Sequence, residues 1–135
     1  MKPSHADIIH AANTALIVEG RLDAIGEFFA PGYVAHFTGT DLAAGHDSVR
    51  RVISAIRSAF SDIALEVDVL VESADRIAWL RTVSGVQTGS FKGFPASDKP
   101  FRWRDMVASE IRDGRIVQEW VVTDLAEQLL LARKR

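Results

Sequence analysis

Apolar residues recur along this chain with two different periods, and the change from one to the other falls near residue 60. Before it the spacing is helical. Ser4 and Asp7 have the form of a capping box, Ile8, Ile9, Ala12 and Leu16 follow on one face, and Gly20 is a natural stop. A second helix is predicted over about 21–30, with Leu22, Ile25, Phe28 and Phe29 as its stripe and Pro31-Gly32 as its end. A short strand is expected from Tyr33 to Phe37 and a loop from Thr38 to Gly45. A third helix follows from about His46 to Phe60, where Val49, Val52, Ile53, Ile56 and Phe60 share a face.

After Phe60 the period is two. Leu65 to Val71 alternates, and a turn at Ala74-Asp75 pairs it with a strand over 76–86. That register sets Val67 against Thr82, Val69 against Leu80 and Val71 against Ala78 on an inward apolar face. Asp68 then meets Arg81 on the outer face, beside Leu70 and Trp79, as a surface ion pair worth little. An outer face bearing Trp79 also suits a partner surface. Residues 87–100 read as a loop rich in Gly, Pro and Ser. Its Phe91 and Phe94 form either a lid over a pocket or a plug at the core edge.

The chain's longest alternating pattern lies at 101–124, two strands joined by a two-residue turn at Asp113-Gly114. Counting outward sets Val107 opposite Trp120, Asp105 opposite Val122 and Trp103 opposite Asp124. One face then carries Trp103, Asp105, Val107, Ile111, Ile116, Trp120, Val122 and Asp124, and Glu119 falls on the other face with Arg104 and Val121. Two carboxylates and two indoles on an apolar surface are the wall of a pocket rather than a plain core. A short helix from Leu125 to Leu131 closes the chain. Helices followed by antiparallel strands give an α+β fold, a curved sheet wrapped around helices, in one domain over 1–135.

Composition narrows the function more than the fold. Sixteen basic against eighteen acidic residues give a net charge of -2, which offers no general attraction to nucleic acid or anionic membrane. The basic end Arg133-Lys134-Arg135 is too short to change that. With no cysteine there are no disulfides, thiol nucleophiles or thiolate metal sites, and no two histidines fall at ligand spacing, so no metal is expected. No signal-peptide pattern opens the chain and no run reaches the ~18 apolar residues of a membrane span. A cytoplasmic protein is the expectation.

Gly45-His46 at a helix start, Asp75-Arg76 at a turn, Thr88-Gly89-x-Phe91-x-Gly93 with Pro95, and DGRIVQEW running on to Asp124 together resemble the SnoaL-like polyketide cyclases. These ester cyclases lie within the nuclear transport factor 2-like superfamily, and the similarity covers nearly all of residues 33–130. It implies a cone-shaped α+β barrel, with N-terminal helices in the concave face of a curved, mainly antiparallel sheet. It also implies a homodimer through the outer sheet face, a deep apolar pocket, and an acidic residue as acid/base with no metal or organic cofactor. The family's cyclases close a carbocyclic ring by an intramolecular aldol reaction. The chain departs from many relatives at Gln87, where they carry histidine, and at Glu119-Trp120-Val121, where they carry His-Trp-Asp.

An aldol closure needs a base, a donor for the enolate oxygen and an apolar cavity. Asp105 and Asp124 are the catalytic candidates, because carboxylates beside indoles are poorly solvated and two close together titrate apart. His36 is a third candidate, able to donate or accept near neutral pH. Trp103, Trp120, His46, Phe91, Phe94 and Gln87 are the candidates for contact with a small apolar cyclic or polycyclic ketone or ester. Asp124 also reads as a helix cap, His46 as a helix-start hydrogen bonder and both tryptophans as core. Two functions stay open, a cofactor-independent cyclase or isomerase and a noncatalytic binding or dimeric interaction module.

Overall fold

A computed structural model describes residues 2–133; Met1 and the last two residues of the basic end, Lys134 and Arg135, lie outside the described residues. Helix α1 (His5–Asn13) starts as the capping box predicts, with Ser4 Oγ accepting from the Asp7 amide and the Asp7 carboxylate accepting from the Ser4 amide. It runs on into a π-helical turn at Thr14–Val18. The carbonyls of Ile17 and Val18, left open at its end, accept from the Arg57 guanidinium at 2.7 and 2.8 Å.

The second helix is shorter than its stripe suggests. A 3-10 turn at Leu22–Ala24 leads into α2 (Ile25–Phe28), and strand β1 (Phe29–Phe37) already begins at Phe29. Pro31 lies inside β1, in the interval between Phe29 and Val34 where pairing with the strand at Arg115–Thr123 breaks register, so its missing N–H costs no ladder bond. A two-residue strand, β2 (Thr40–Asp41), forms within the expected loop. Helix α3 (His46–Ala59) follows. Strands β3 (Phe60–Glu72), β4 (Arg76–Gln87), β5 (Pro100–Arg112) and β6 (Arg115–Thr123) complete the sheet, and α4 (Leu125–Arg133) ends the chain. The strand order is β2-β1-β6-β5-β4-β3, antiparallel except where β1 runs parallel to β6. The fold is α+β, helices packed on a curved sheet.

Two registers differ from those counted along the sequence. Asp113 and Gly114 have φ of 52° and 76°, as a two-residue turn requires, and Arg112–Arg115 and Ile111–Ile116 pair as expected. A bulge then admits Val117 as an extra residue, so Glu110 pairs with Gln118, Ser109 with Glu119 and Val107 with Val121. The β6 side chains beyond it turn over: Glu119 faces in, and Trp120 and Val122 face out. A second bulge at Leu70 follows the correct pair Val71–Ala78 and sets Val69 against Trp79 and Val67 against Arg81. In β4 it is therefore Ile77, Trp79, Arg81 and Val83 that face inward, not Ala78, Leu80 and Thr82. The expected Asp68–Arg81 pair does not form.

The core has two parts. One gathers Ile9, Leu16, Ile25, Val49 and Ile53 from the helices against Trp79, Val107, Ile116 and Val121 of the sheet. The other joins Phe60, Phe91, Phe101 and Trp103 to Leu125 and Leu129 of α4. Loop 88–99 is fastened to the second part. The amides of Thr88 and Gly89 both donate to Ala59 O, and a Cβ on Gly89 would lie 2.6 Å from Ser58 O, so the close approach requires glycine.

Candidate functional site

Between α1, α3 and the concave sheet face lies a cavity of about 80 Å³, mostly apolar. Ile9, Leu16, Val49, Ile53 and Ile116 are among the residues that make its walls, while Asn13, Tyr33, Arg81 and Glu119 bring polar groups to it. These four come from three directions: the end of α1, the neighbouring strands β1 and β6, and the centre of β4.

Glu119 is buried, at 8% exposed, and both its oxygens accept from neutral donors. Tyr33 donates to Oε1 at 2.7 Å, and Ser109, opposite on β5, donates to Oε2 at 2.5 Å. Ser109 in turn accepts from the Trp79 indole at 3.0 Å. This chain of donors fixes the carboxyl's orientation. Among the described residues Glu119 makes no ion pair. Burial pushes the Tyr33 phenol far above its ordinary pKa, the Glu119 charge and hydrogen bond push it further, and the nearby Arg81 cation offsets only part of this. Tyr33 is therefore a neutral donor across the working pH range.

The second polar unit stands alongside. Arg81 Nε donates to Asp105 Oδ2 at 2.8 Å, directly across the β4–β5 pairing, and Nη1 donates to Asn13 Oδ1 at 2.9 Å. Asn13 is itself held by its amide donating to Ile9 O at 2.8 Å. The guanidinium lies 5.2 Å from the Trp79 ring centre, so the indole supports the cation from one side. Every buried polar side-chain atom among the described residues has a partner.

The candidates named from sequence distribute unevenly about this cavity. Asp105 is buried, as expected of a pocket carboxylate, but it backs Arg81 instead of lining the cavity. Asp124 lies away from the cavity, just before α4, its carboxylate accepting from the Arg104 amide at 2.7 Å and the Gln128 side chain at 3.3 Å. His36 lies on the outer side of the sheet, between Asp41 at 3.0 Å and Gln118 at 3.1 Å, stacked on Trp120. His46 bonds the carbonyls of Phe29 and Ala30, the duller role foreseen for it. Trp103 and Phe91 belong to the second core cluster, and Gln87 ties the loop by donating to the carbonyls of Gly89 and Phe94. Phe94 packs against that cluster beneath Arg133. None of these residues lines the cavity.

Asn13, Tyr33, Trp79, Arg81, Ser109 and Glu119 were not singled out for the site. The signal for Trp79 and Arg81 was the bulk of Ile77, Trp79 and Val83 on one parity of β4. For Glu119 it was the parity conflict between Ile116 and Val121, which only a bulge reconciles.

The model of the SnoaL-like polyketide cyclases matches residues 7–130. The chain belongs to this family. Among solved structures it is similar to IdmH of Streptomyces antibioticus, provisionally assigned as a polyketide cyclase. The two are 27% identical over 96% of this chain and 98% of that one, with a TM-score of 0.77. TsrD of Streptomyces laurentii is 26% identical over 95% and 98%, with a TM-score of 0.78. AclR of Streptomyces galilaeus, provisionally assigned as a hydroxylase, is 22% identical over 98% and 88%, with a TM-score of 0.79, and supports the fold alone. No match was found among curated proteins. The SnoaL-like, nuclear transport factor 2-like fold is thus shared across assignments of different chemistry, so function has to come from the cavity. Among the described residues no three His, Asp or Glu side chains gather as a metal site, and no helix is long and apolar enough to cross a membrane.

Proposed function

We propose that this SnoaL-like protein is an acid/base catalyst acting on a small neutral cyclic ketone or ester held in the internal cavity, by aldol-type ring closure or isomerisation. One observation carries the reading: Glu119 lies at an apolar cavity with neutral donors on both oxygens, while the neighbouring cation Arg81 is already committed to Asp105. Among the described residues no ion pair has to be broken for this carboxylate to act as a base. Glu119 removes the activated C–H proton, the C–H electron pair becomes the enolate double bond, and the carbonyl π pair moves onto oxygen. In isomerisation Glu119 then returns the proton to carbon. In ring closure the enolate carbon first bonds to a second carbonyl carbon of the same molecule, whose π pair moves onto its oxygen, and the resulting alkoxide takes the proton from Glu119. Proton traffic of this kind requires no metal or organic cofactor.

Ligand sites commonly measure ~300–1,000 Å³. About 80 Å³ therefore favours a single ring over a polycyclic substrate, which would need α1 and α3 to part.

The test is exchange of α-protons for deuterium in D2O, followed by NMR on monocyclic ketones such as cyclohexanones that shift the Trp79 indole resonance. The wild type accelerates exchange and Glu119→Gln loses the acceleration. Binding with no acceleration, or acceleration that survives Glu119→Gln, replaces this reading with the noncatalytic binding module.

A homodimer through the outer sheet face belongs to the same proposal. Leu80, Met106 and Val122 form one row across β4, β5 and β6, with Ala78, Ala108 and Trp120 in the next. Met106 and Val122 are 54% and 62% exposed, an apolar surface of the kind that partners cover.

A further inference from the structure

We infer that Arg81, aimed by Asp105 and Asn13, is the oxygen-binding subsite of the cavity, and that it selects a neutral carbonyl compound over one carrying its own carboxylate. This rests on the acid/base reading of Glu119 for its catalytic meaning, but the subsite itself is a statement about binding.

Guanidinium has five N–H donors. Nε is committed to Asp105 and one Nη1 hydrogen to Asn13; among the described residues Nη2 has no hydrogen-bond partner, and the side chain, 18% exposed, lines the cavity. As every buried polar side-chain atom among the described residues has a partner, Nη2 is accessible, and its free hydrogens can meet a ligand oxygen in the cavity that Arg81 lines. Its direction is fixed because the two anchors come from different elements, β5 and the end of α1. Tyr33, Arg81 and Glu119 line the same cavity and Tyr33 donates to Glu119, so donor and base face one small volume.

Charge then sets the ligand class. Asp105 already balances Arg81, and Glu119 adds a further negative charge with no cation of its own. A ligand carboxylate would face that charge in a medium that screens it poorly. A carbonyl oxygen meets only the donor, and gains most from it when deprotonation of the neighbouring carbon turns it into an enolate oxygen. Asp105 and Asn13 are positioning residues in this scheme, acting through Arg81.

The probe is 4-fluorophenol, a small ring whose oxygen ionises as an enol does and whose ¹⁹F shift reports the ionisation state. In Glu119→Gln, which removes the competing negative charge, the midpoint of the bound ring falls by about one pH unit or more below that of the free phenol. Adding Arg81→Met together with Asp105→Leu returns the midpoint to the free value or above it, and no carboxylate is left buried alone. A midpoint unmoved in Glu119→Gln, a fall that persists in the triple variant, or failure of folded Glu119→Gln to bind the ring each overturns the subsite. If the triple variant does not fold, Arg81→Lys in the Glu119→Gln background takes its place, with at least half of the fall expected to be lost. Cyclohexanecarboxylate binding wild type as tightly as cyclohexanone overturns the neutral selectivity. A displaced fluorophenol midpoint with no deuterium exchange on ketones leaves the subsite standing and removes the acid/base function; exchange with an unmoved midpoint does the reverse.

Discussion

Removing Asp105 alone should be among the costlier single changes in this protein. Its side chain is 6% exposed and that of its partner Arg81 is 18% exposed, and the two meet at 2.8 Å across the middle of the sheet. Asp105→Leu leaves the guanidinium with Asn13 as its remaining anchor, in surroundings supplied by Trp79 and the apolar cavity. Breaking one side of a buried pair costs about 3–5 kcal/mol. The surviving bond to Asn13 and the partial exposure of Arg81 place this case near the lower figure. For a domain of this length that corresponds to a fall in Tm of roughly 10 °C. Replacing both partners, Arg81→Met with Asp105→Leu, removes the stranded charge and should return stability to within about 1 kcal/mol of wild type. Urea unfolding of wild type, both single variants and the double variant gives the coupling directly. A loss below about 1 kcal/mol for Asp105→Leu, or a double variant as unstable as the two single losses added together, would show that the pair is not a buried unit and would refute the reasoning.

His36 supplies a pH dependence with a definite sign. Both ring nitrogens face acceptors, Asp41 and a Gln118 oxygen whose amide end is turned toward Glu110, and these bonds raise its pKa above 6.5. A group that binds its proton more tightly when folded stabilises fully below its unfolded pKa, and that contribution fades as pH rises through the folded value. The stability lost in His36→Gln should therefore be greater at pH 5.5 than at pH 8.5 in urea unfolding; an equal or reversed difference contradicts the assignment. Asp124→Ala should cost about 1 kcal/mol, because the carboxylate bonds the Arg104 amide and precedes α4, while ketone exchange stays at the wild-type rate; a large drop in that rate in a stable variant would bring Asp124 into the chemistry. Val122→Glu should leave the circular dichroism spectrum unchanged but lower the mass seen by light scattering to that of a monomer, and a wild type already monomeric at high concentration removes the dimer.

What the sequence made legible and what it hid divide at two bulged residues. Periodicity located the helices and the long strands, and Asp113-Gly114 fixed one turn with the right geometry. From there the counted pairing holds for Arg112–Arg115 and Ile111–Ile116 and fails at the next step, because Val117 is taken out of the ladder. The same occurs from Val71–Ala78 onward at Leu70. A shift of one residue exchanges the faces of a strand, so each bulge turns over everything beyond it. Neither carries a glycine or proline to announce it. What forces them is packing at a distance: Ile116 and Val121 both need the interior although their parities differ, and Trp79 needs the space that Leu80 would otherwise occupy.

The consequence reaches the chemistry. With β6 uninterrupted the cavity wall would receive Trp120 and Val122 in place of Glu119 and Val121, a nearly apolar surface beside Asp105. The bulge at Val117 instead turns Glu119 inward against Ser109, while Arg81 meets Asp105 through the unbroken β4–β5 register, to which the Leu70 bulge fits Val67 and Val69 of β3. The Glu119 unit therefore depends on a single unpaired residue that re-aims the side chains after it. Pocket residues in this fold are better sought by testing each strand for a conflict of parity among its bulky residues than by counting outward from a turn. Applied here, that test identifies β6, through Ile116 and Val121, as the strand whose Glu119 turns inward.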